Sequence, residues 1–382
     1  CTPCSLHDTH NSLKWSLHAQ IGNTEVLKDC FLVIEALRKS ADLLHRHLGG
    51  WLQDRLRFVP EEELPAPEHL YELWTSLGVE HEAANILATE LRLQWKGGNL
   101  EVSETAAQIT NIVGQVSFVL LSVWRFKAFS DSRWVSVGCS CRALAASLLT
   151  GIDSFVASIR ANPATSDFDF HGFDRLSEDV RHFVALAAMV SYPSDALLSE
   201  LLEDSRLPRR LAALTQTVDS ELDWLASVGS HVWGPLASMT LRSDLSGQVL
   251  RSECLHAAHI CRGFMQHRFF AAALEYPWRL ATGDQDAKLA SLKSGPKPAE
   301  ECAGKVWELM HLGYNKNQIK QGLDLVLDAP WGTASAEQQH ASATLIMRHH
   351  KEYNTETLRL RSLCHTLRLL LPSFSAEEKQ IQ

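Results

Sequence analysis

Leu211-Ala212-Ala213-Leu214-Thr215-Gln216-Thr217-Val218-Asp219-Ser220-Glu221-Leu222-Asp223-Trp224-Leu225 carries its apolar residues in steps of three and four: Leu211, Leu214, Val218, Leu222 and Leu225. That spacing stacks them on one side of an α-helix. The segment follows Pro208.

The same step recurs on both sides of this segment. Phe31, Ile34, Leu37, Ala41, Leu44 and Leu48 form one such face. Gly49-Gly50 is expected to stop that helix, because glycine takes the left-handed conformation found past helix ends. Leu360, Cys364, Leu367 and Leu371 repeat the pattern, with Asn354 or Thr355 as the cap. Few windows alternate apolar and polar residues as a strand would. One short extended piece is expected around Trp134 to Val137. No repeat of fixed period is apparent. The pattern predicts an all-α protein: a large multi-layer helical body, a C-terminal helical unit, and little or no sheet.

Three stretches read as linkers. Residues 59–67 are acidic and proline-rich, 161–172 mix Asn, Pro, Asp and Gly, and Ser294-Gly295-Pro296-Lys297-Pro298 precedes the C-terminal unit. The expected division is a body over 1–296, with sub-segments 1–58, 70–160 and 173–290, and a unit over 299–382. The 382 residues suffice for two or three units of ordinary domain size, but the first three segments read as layers of one body.

Net charge is −9, so the surface as a whole is not basic, and contact with nucleic acid would need a local basic patch. Eleven Trp favour extensive packed helical layers. Nine Cys, an odd and scattered set, do not form a disulfide framework and are expected to be mostly reduced, buried thiols of an intracellular protein. No apolar run has the length of a membrane span, so no membrane partner is expected. The chain opens at Cys1 and is read as a fragment.

Four groups of residues could carry chemistry. Cys1, Cys4, His7 and His10 are all zinc-ligating types at intervals of three. One continuous helix cannot wrap them around an ion, and the alternative is a packed helix start with Cys4 and His7 on one face. His256, His259 and Cys261 are a second Cys/His group; packed core or interface histidines are the plainer reading, and Cys139 and Cys141 are expected in the core. The third is Ser130-Asp131-Ser132-Arg133-Trp134, with Arg125, Lys127 and Arg142 nearby. Arg can grip phosphate with two donors, and Trp can stack on an unpaired base. The alternative is a Trp anchored in the core beside a salt-bridged Arg.

The fourth group lies late in the chain. Ser335 and Gln338 have capping-box spacing, which would put Glu337 in a first helical turn where a carboxylate suits the helix dipole. Beyond it Arg348, Lys351, Arg359, Arg361 and Arg368 outnumber Glu352 and Glu356, a local reversal of sign able to meet a polyanion. No Gly-rich phosphate loop, Ser-His-Asp ordering or nucleophile elbow is present.

In order along the chain, Cys4-Ser5-Leu6-His7, Ser132-Arg133-Trp134, Ala334-Ser335-Ala336-Glu337 and the basic stretch from Arg348 to Lys351 resemble the C-terminal part of hAT-family DNA transposases. The resemblance implies a helical insertion within a core similar to ribonuclease H. It implies that Glu337 is the third carboxylate of a shared Mg site and that Trp134 stacks on a flipped base beside Arg133. Arg348 and Lys351 would contact DNA, and Cys4 and His7 would mark the junction of core and insertion. Ser-Ala-Glu-Gln departs from the family's Ser-Glu-Arg, the interval from His7 to Arg133 is long, and two catalytic Asp residues have no counterpart here.

The expectation is therefore a DNA-binding, transposase-derived fragment, nuclear, with no cofactor of its own. It would be inert alone, because the two-metal mechanism needs three carboxylates, and self-association is a second expected partner mode. The alternatives are a non-enzymatic helical scaffold or nucleoprotein-like assembly protein and, more remotely, a helical metalloenzyme using His256, His259 and the N-terminal Cys/His group.

Overall fold

A computed structural model describes residues 5–22, 25–60, 65–90, 94–96, 99–102, 109–126, 134–162, 171–203 and 207–266, with Gly313, Asn315 and Asn317 as isolated positions. Within them the protein is all-α, as the apolar spacing predicts. The unit expected over 299–382 and the linker at 294–298 lie outside the described residues, those three positions apart.

The centre of the body is α9 (Glu178–Val190). Ser177 caps it by accepting the Val180 N–H, and Glu178 and Asp179 occupy the first turn, where carboxylates favour the helix dipole. From Val180 to Val190 every residue but His182 is buried. A helix apolar on all sides belongs inside other helices. It is flanked by α7 (Trp134–Leu149), α2 (Glu25–Lys39) and α13 (Gly247–Met265). On α7, Gly138 permits the close approach: a Cβ there would lie 2.1 Å from the Ser191 hydroxyl.

Around this centre α1 (Ser5–Ile21) packs on α13, on α7 and on α10 (Tyr192–Glu203). Next, α10 packs on α11 (Leu207–Ser227), and α12 (Ser230–Met239) packs on α13 and on α4 (Pro67–Ser76). In α11 the residues Leu214, Val218, Leu222 and Leu225 are buried, as their spacing predicts, and Leu211 is packed against the same core.

The second layer holds α3 (Ala41–Arg55), α6 (Ile109–Val123) and α8 (Ile152–Ala161). Trp51 and Phe155 meet edge to face at 5.4 Å, and Trp124 lies 5.5 Å from Phe155. The Trp124 indole donates to Thr150 Oγ1 at 2.8 Å, which satisfies its N–H inside the core. A short α5 (His81–Asn85) continues into a π-helical turn, Ile86–Glu90. The only sheet among the described residues is small: β1 (Leu56–Phe58) pairs parallel with β3 (Asn99–Val102), which pairs antiparallel with β2 (Gln94–Lys96).

Three local expectations are corrected. The face from Phe31 to Leu48 is split between α2 and α3 at Ser40, whose hydroxyl bonds the Ala36 carbonyl. Gly49-Gly50 does not end α3. Just beyond it Trp51 and Leu52 are buried, and that packing outweighs the cost of about 1 kcal/mol that each helical glycine carries. The stretch from Trp134 to Val137 is not extended but opens α7. No single helix among the described residues is long and apolar enough to cross a membrane.

Candidate functional site

Cys1, Cys4, Lys127, Arg133, Glu337, Arg348 and Lys351 lie outside the described residues. His7 sits in the first turn of α1, and Trp134 is the first residue of α7; for both, only the backbone is described. The expectations of packed residues fare unevenly. Cys141 and Cys261 are buried, but Cys139 is exposed, which corrects its expected place in the core; His256 and His259 are exposed and so are not core residues. Cys261 is buried on α13 beside Ser194, 3.3 Å from its hydroxyl, while His256 and His259 of the same helix face outward. Among the described residues no three His, Cys, Asp or Glu side chains converge as a metal site would require.

Arg142 has a different fate from the one its basic neighbours suggest. One turn after Gly138 on α7, it is buried in an ion pair with Asp195 of α10. Its NH1 donates to Ser191 Oγ at 2.6 Å and to the Ala188 carbonyl at 3.3 Å, and its NH2 donates to Cys139 Sγ at 3.2 Å. The guanidinium carbon lies 4.4 Å from the centre of the Tyr192 ring, a cation–π distance. Burial works against the Arg142 charge, yet Asp195, Tyr192 and Cys139 outweigh it and hold the guanidinium above its ordinary value. Burial raises Asp195, opposed by the Arg142 charge. Tyr192, whose hydroxyl donates to the Ser76 carbonyl at 2.8 Å, is pushed up to about 12, chiefly by burial. Glu221 of α11 is raised by burial and by Asp195. This cluster locks α7, α10 and α4 together. Its arginine is committed to protein acceptors and does not offer a fork for phosphate.

A second polar group ties the far side of α9. His182 Nδ1 accepts from Arg242 NH1 at 3.2 Å, since a guanidinium can only donate, and Nε2 donates to Glu253 Oε2 at 2.7 Å. Arg242 is held in turn by both oxygens of Asp244. Every ring nitrogen and guanidinium edge named here is used within the fold.

The open site lies where α11 ends and α12 and α13 begin. A cleft of about 530 Å³ is lined by Val228, Ser230, Trp233, Gly234, Gly247, Gln248 and Arg251. Gly247 lets the two helices touch through their backbones: a Cβ there would lie 2.9 Å from the Gly234 nitrogen. The Trp233 indole is buried and donates to the Val228 carbonyl at 3.0 Å. Arg251 NH2 donates to the Ala226 carbonyl at 2.5 Å.

One end of the cleft is fixed from α4. Glu72 Oε1 accepts from the Gly229 N–H at 3.3 Å, and Glu72 Oε2 is 2.7 Å from His231 Nε2. The His231 ring stacks on His69, centres 4.3 Å apart and planes 15° apart. Neither the cleft nor the Glu72 brace was among the residues singled out from sequence. The local signals were there, in the helix starts at Gly229-Ser230 and Ser246-Gly247, but nothing local joins residue 72 to residue 231. Comparison of the chain with protein-family models, with curated proteins and with solved structures gives no match.

Proposed function

We propose that this chain is a DNA-binding fragment akin to the insertion and C-terminal region of a hAT transposase, acting in the nucleus and inert in strand transfer by itself. One observation carries the reading. The helix that carries His7 in its first turn, α1, packs on the helix that opens at Trp134, α7. His7 and Trp134, far apart in sequence and related only by the resemblance, thus lie on helices that touch. Trp134 is the base-stacking residue and Arg133 its phosphate-binding neighbour, with Arg348 and Lys351 adding positive charge. Glu337 supplies one carboxylate toward a Mg site whose chemistry, in-line displacement between two metal ions, takes three.

Fluorescence anisotropy with a hairpin-ended duplex and a plain duplex of equal length tests this. The hairpin-ended DNA is expected to bind more tightly, with an affinity that falls steeply as salt rises. Trp134→Ala is expected to abolish the preference, and Arg133→Ala to weaken binding to both duplexes. No cleavage is expected with Mg. Absence of binding at low salt overturns the proposal. Binding of single strands that is indifferent to Trp134→Ala returns the alternative, a helical nucleoprotein-like scaffold.

A further inference from the structure

We propose that the cleft between α11, α12 and α13 is an oxyanion site that takes a phosphate group, with Arg251 as its charge-bearing residue. Three observations carry this. The volume, about 530 Å³, falls in the range of roughly 300–1,000 Å³ typical of small-molecule sites and exceeds what a bare phosphate fills. Arg251 is the only charged residue among the described lining residues. Its guanidinium meets one acceptor, Ala226, and no other among the described residues, which leaves most of its five donors for a ligand. Two further lining side chains, the Ser230 hydroxyl and the Gln248 amide, make no hydrogen bond among the described residues.

These donors line one cleft, and the chemistry they share is recognition of a tetrahedral oxyanion. Arginine suits it because its planar fork meets two phosphate oxygens at once. Val228 and the buried Trp233 give the cleft an apolar wall, which fits a phosphate carried on a larger molecule. Glu72, at one end of the cleft, does not oppose this. Both its oxygens are turned to Gly229 and His231.

The phosphate could belong to a free phosphate ester or to a nucleic-acid backbone. The site stands whether or not the chain binds DNA by Trp134, and the experiment separates the two. Inorganic phosphate is titrated into the full chain by calorimetry, with Arg251→Ala, Gln248→Ala and, as a control on α2, Lys28→Ala. The expected result is saturable binding at one site, weakened about tenfold by Arg251→Ala, less by Gln248→Ala, and unchanged by Lys28→Ala. Equal melting temperatures would establish that the variants are folded. Duplex DNA that competes with phosphate, in a manner that Arg251→Ala removes and Trp134→Ala does not, assigns the site to a backbone phosphate. Failure of DNA to compete assigns it to a free ester. No saturable phosphate binding, or binding equal in wild type and both cleft variants, overturns the proposal.

Discussion

Arg142 on α7 and Asp195 on α10 form a buried ion pair across 53 positions of sequence, and it is satisfied on one side only. The guanidinium reaches Ser191, Ala188 and Cys139 as well as the carboxylate. Asp195 Oδ1, by contrast, is buried with no hydrogen-bond partner among the described residues. Removing one member of such a pair leaves the other charged and unsolvated, whereas removing both can be nearly neutral.

Arg142→Met is therefore expected to lower stability by about 3–5 kcal/mol, and Arg142→Met with Asp195→Asn to recover much of that loss. Urea unfolding of the wild type, the two single variants and the double variant measures the coupling directly. Additive losses would show that the pair contributes little beyond packing.

Glu221 supplies a pH prediction whose sign is fixed by burial. Its carboxyl is raised by desolvation and by Asp195. A carboxyl raised in the folded state contributes stability that is present below its unfolded pKa and lost as pH climbs through the folded value. Glu221→Gln is thus expected to raise the melting temperature at about pH 7 and to leave it unchanged at about pH 3, below the ordinary glutamate range. A gain of equal size at both pH values would remove charge as the cause.

Gly138 is a third test point. A methyl there would enter the Ser191 hydroxyl, and Ser191 also receives the Arg142 hydrogen bond. Gly138→Ala should cost about 3 kcal/mol, the upper part of the overpacking range, in chemical denaturation. Gly138→Ala with Ser191→Gly should recover part of it, because the second change makes room.

Two positions predict stabilisation instead. Gly50 lies inside α3 with open space where a Cβ would stand, so Gly50→Ala should add about 0.5–1 kcal/mol. Leu241 follows the C-cap of α12 with φ 62°, is 63% exposed, and holds a conformation suited to glycine. Leu241→Gly should add about 1 kcal/mol by removing the Cβ clash, read as a rise in denaturation midpoint.

The fold was legible where one helix face decides the outcome. Leu214, Val218, Leu222 and Leu225 are buried because their spacing leaves no other face to bury. Legibility failed where distant packing overrides a local signal. Gly49-Gly50 reads as a stop, and the burial of Trp51 and Leu52, with Trp51 against Phe155, keeps α3 running. The site was less legible for the same reason. Arg142 stands near Arg133 and Trp134 in sequence and looks like part of a phosphate-binding group, yet its partner Asp195 comes from another helix. The cleft draws on three helices at once, and no short window holds both Val228 and Arg251.

The Glu72 brace bears on the order in which the molecule assembles. With ten residues and an internal Pro235, α12 is too short to persist alone in water, and no side chain of its own caps its start. The Gly229 N–H finds its acceptor 157 positions upstream. A peptide spanning 229–240 should therefore show almost no helical circular dichroism, and during refolding this helix should gain hydrogen-exchange protection only once α4 has docked.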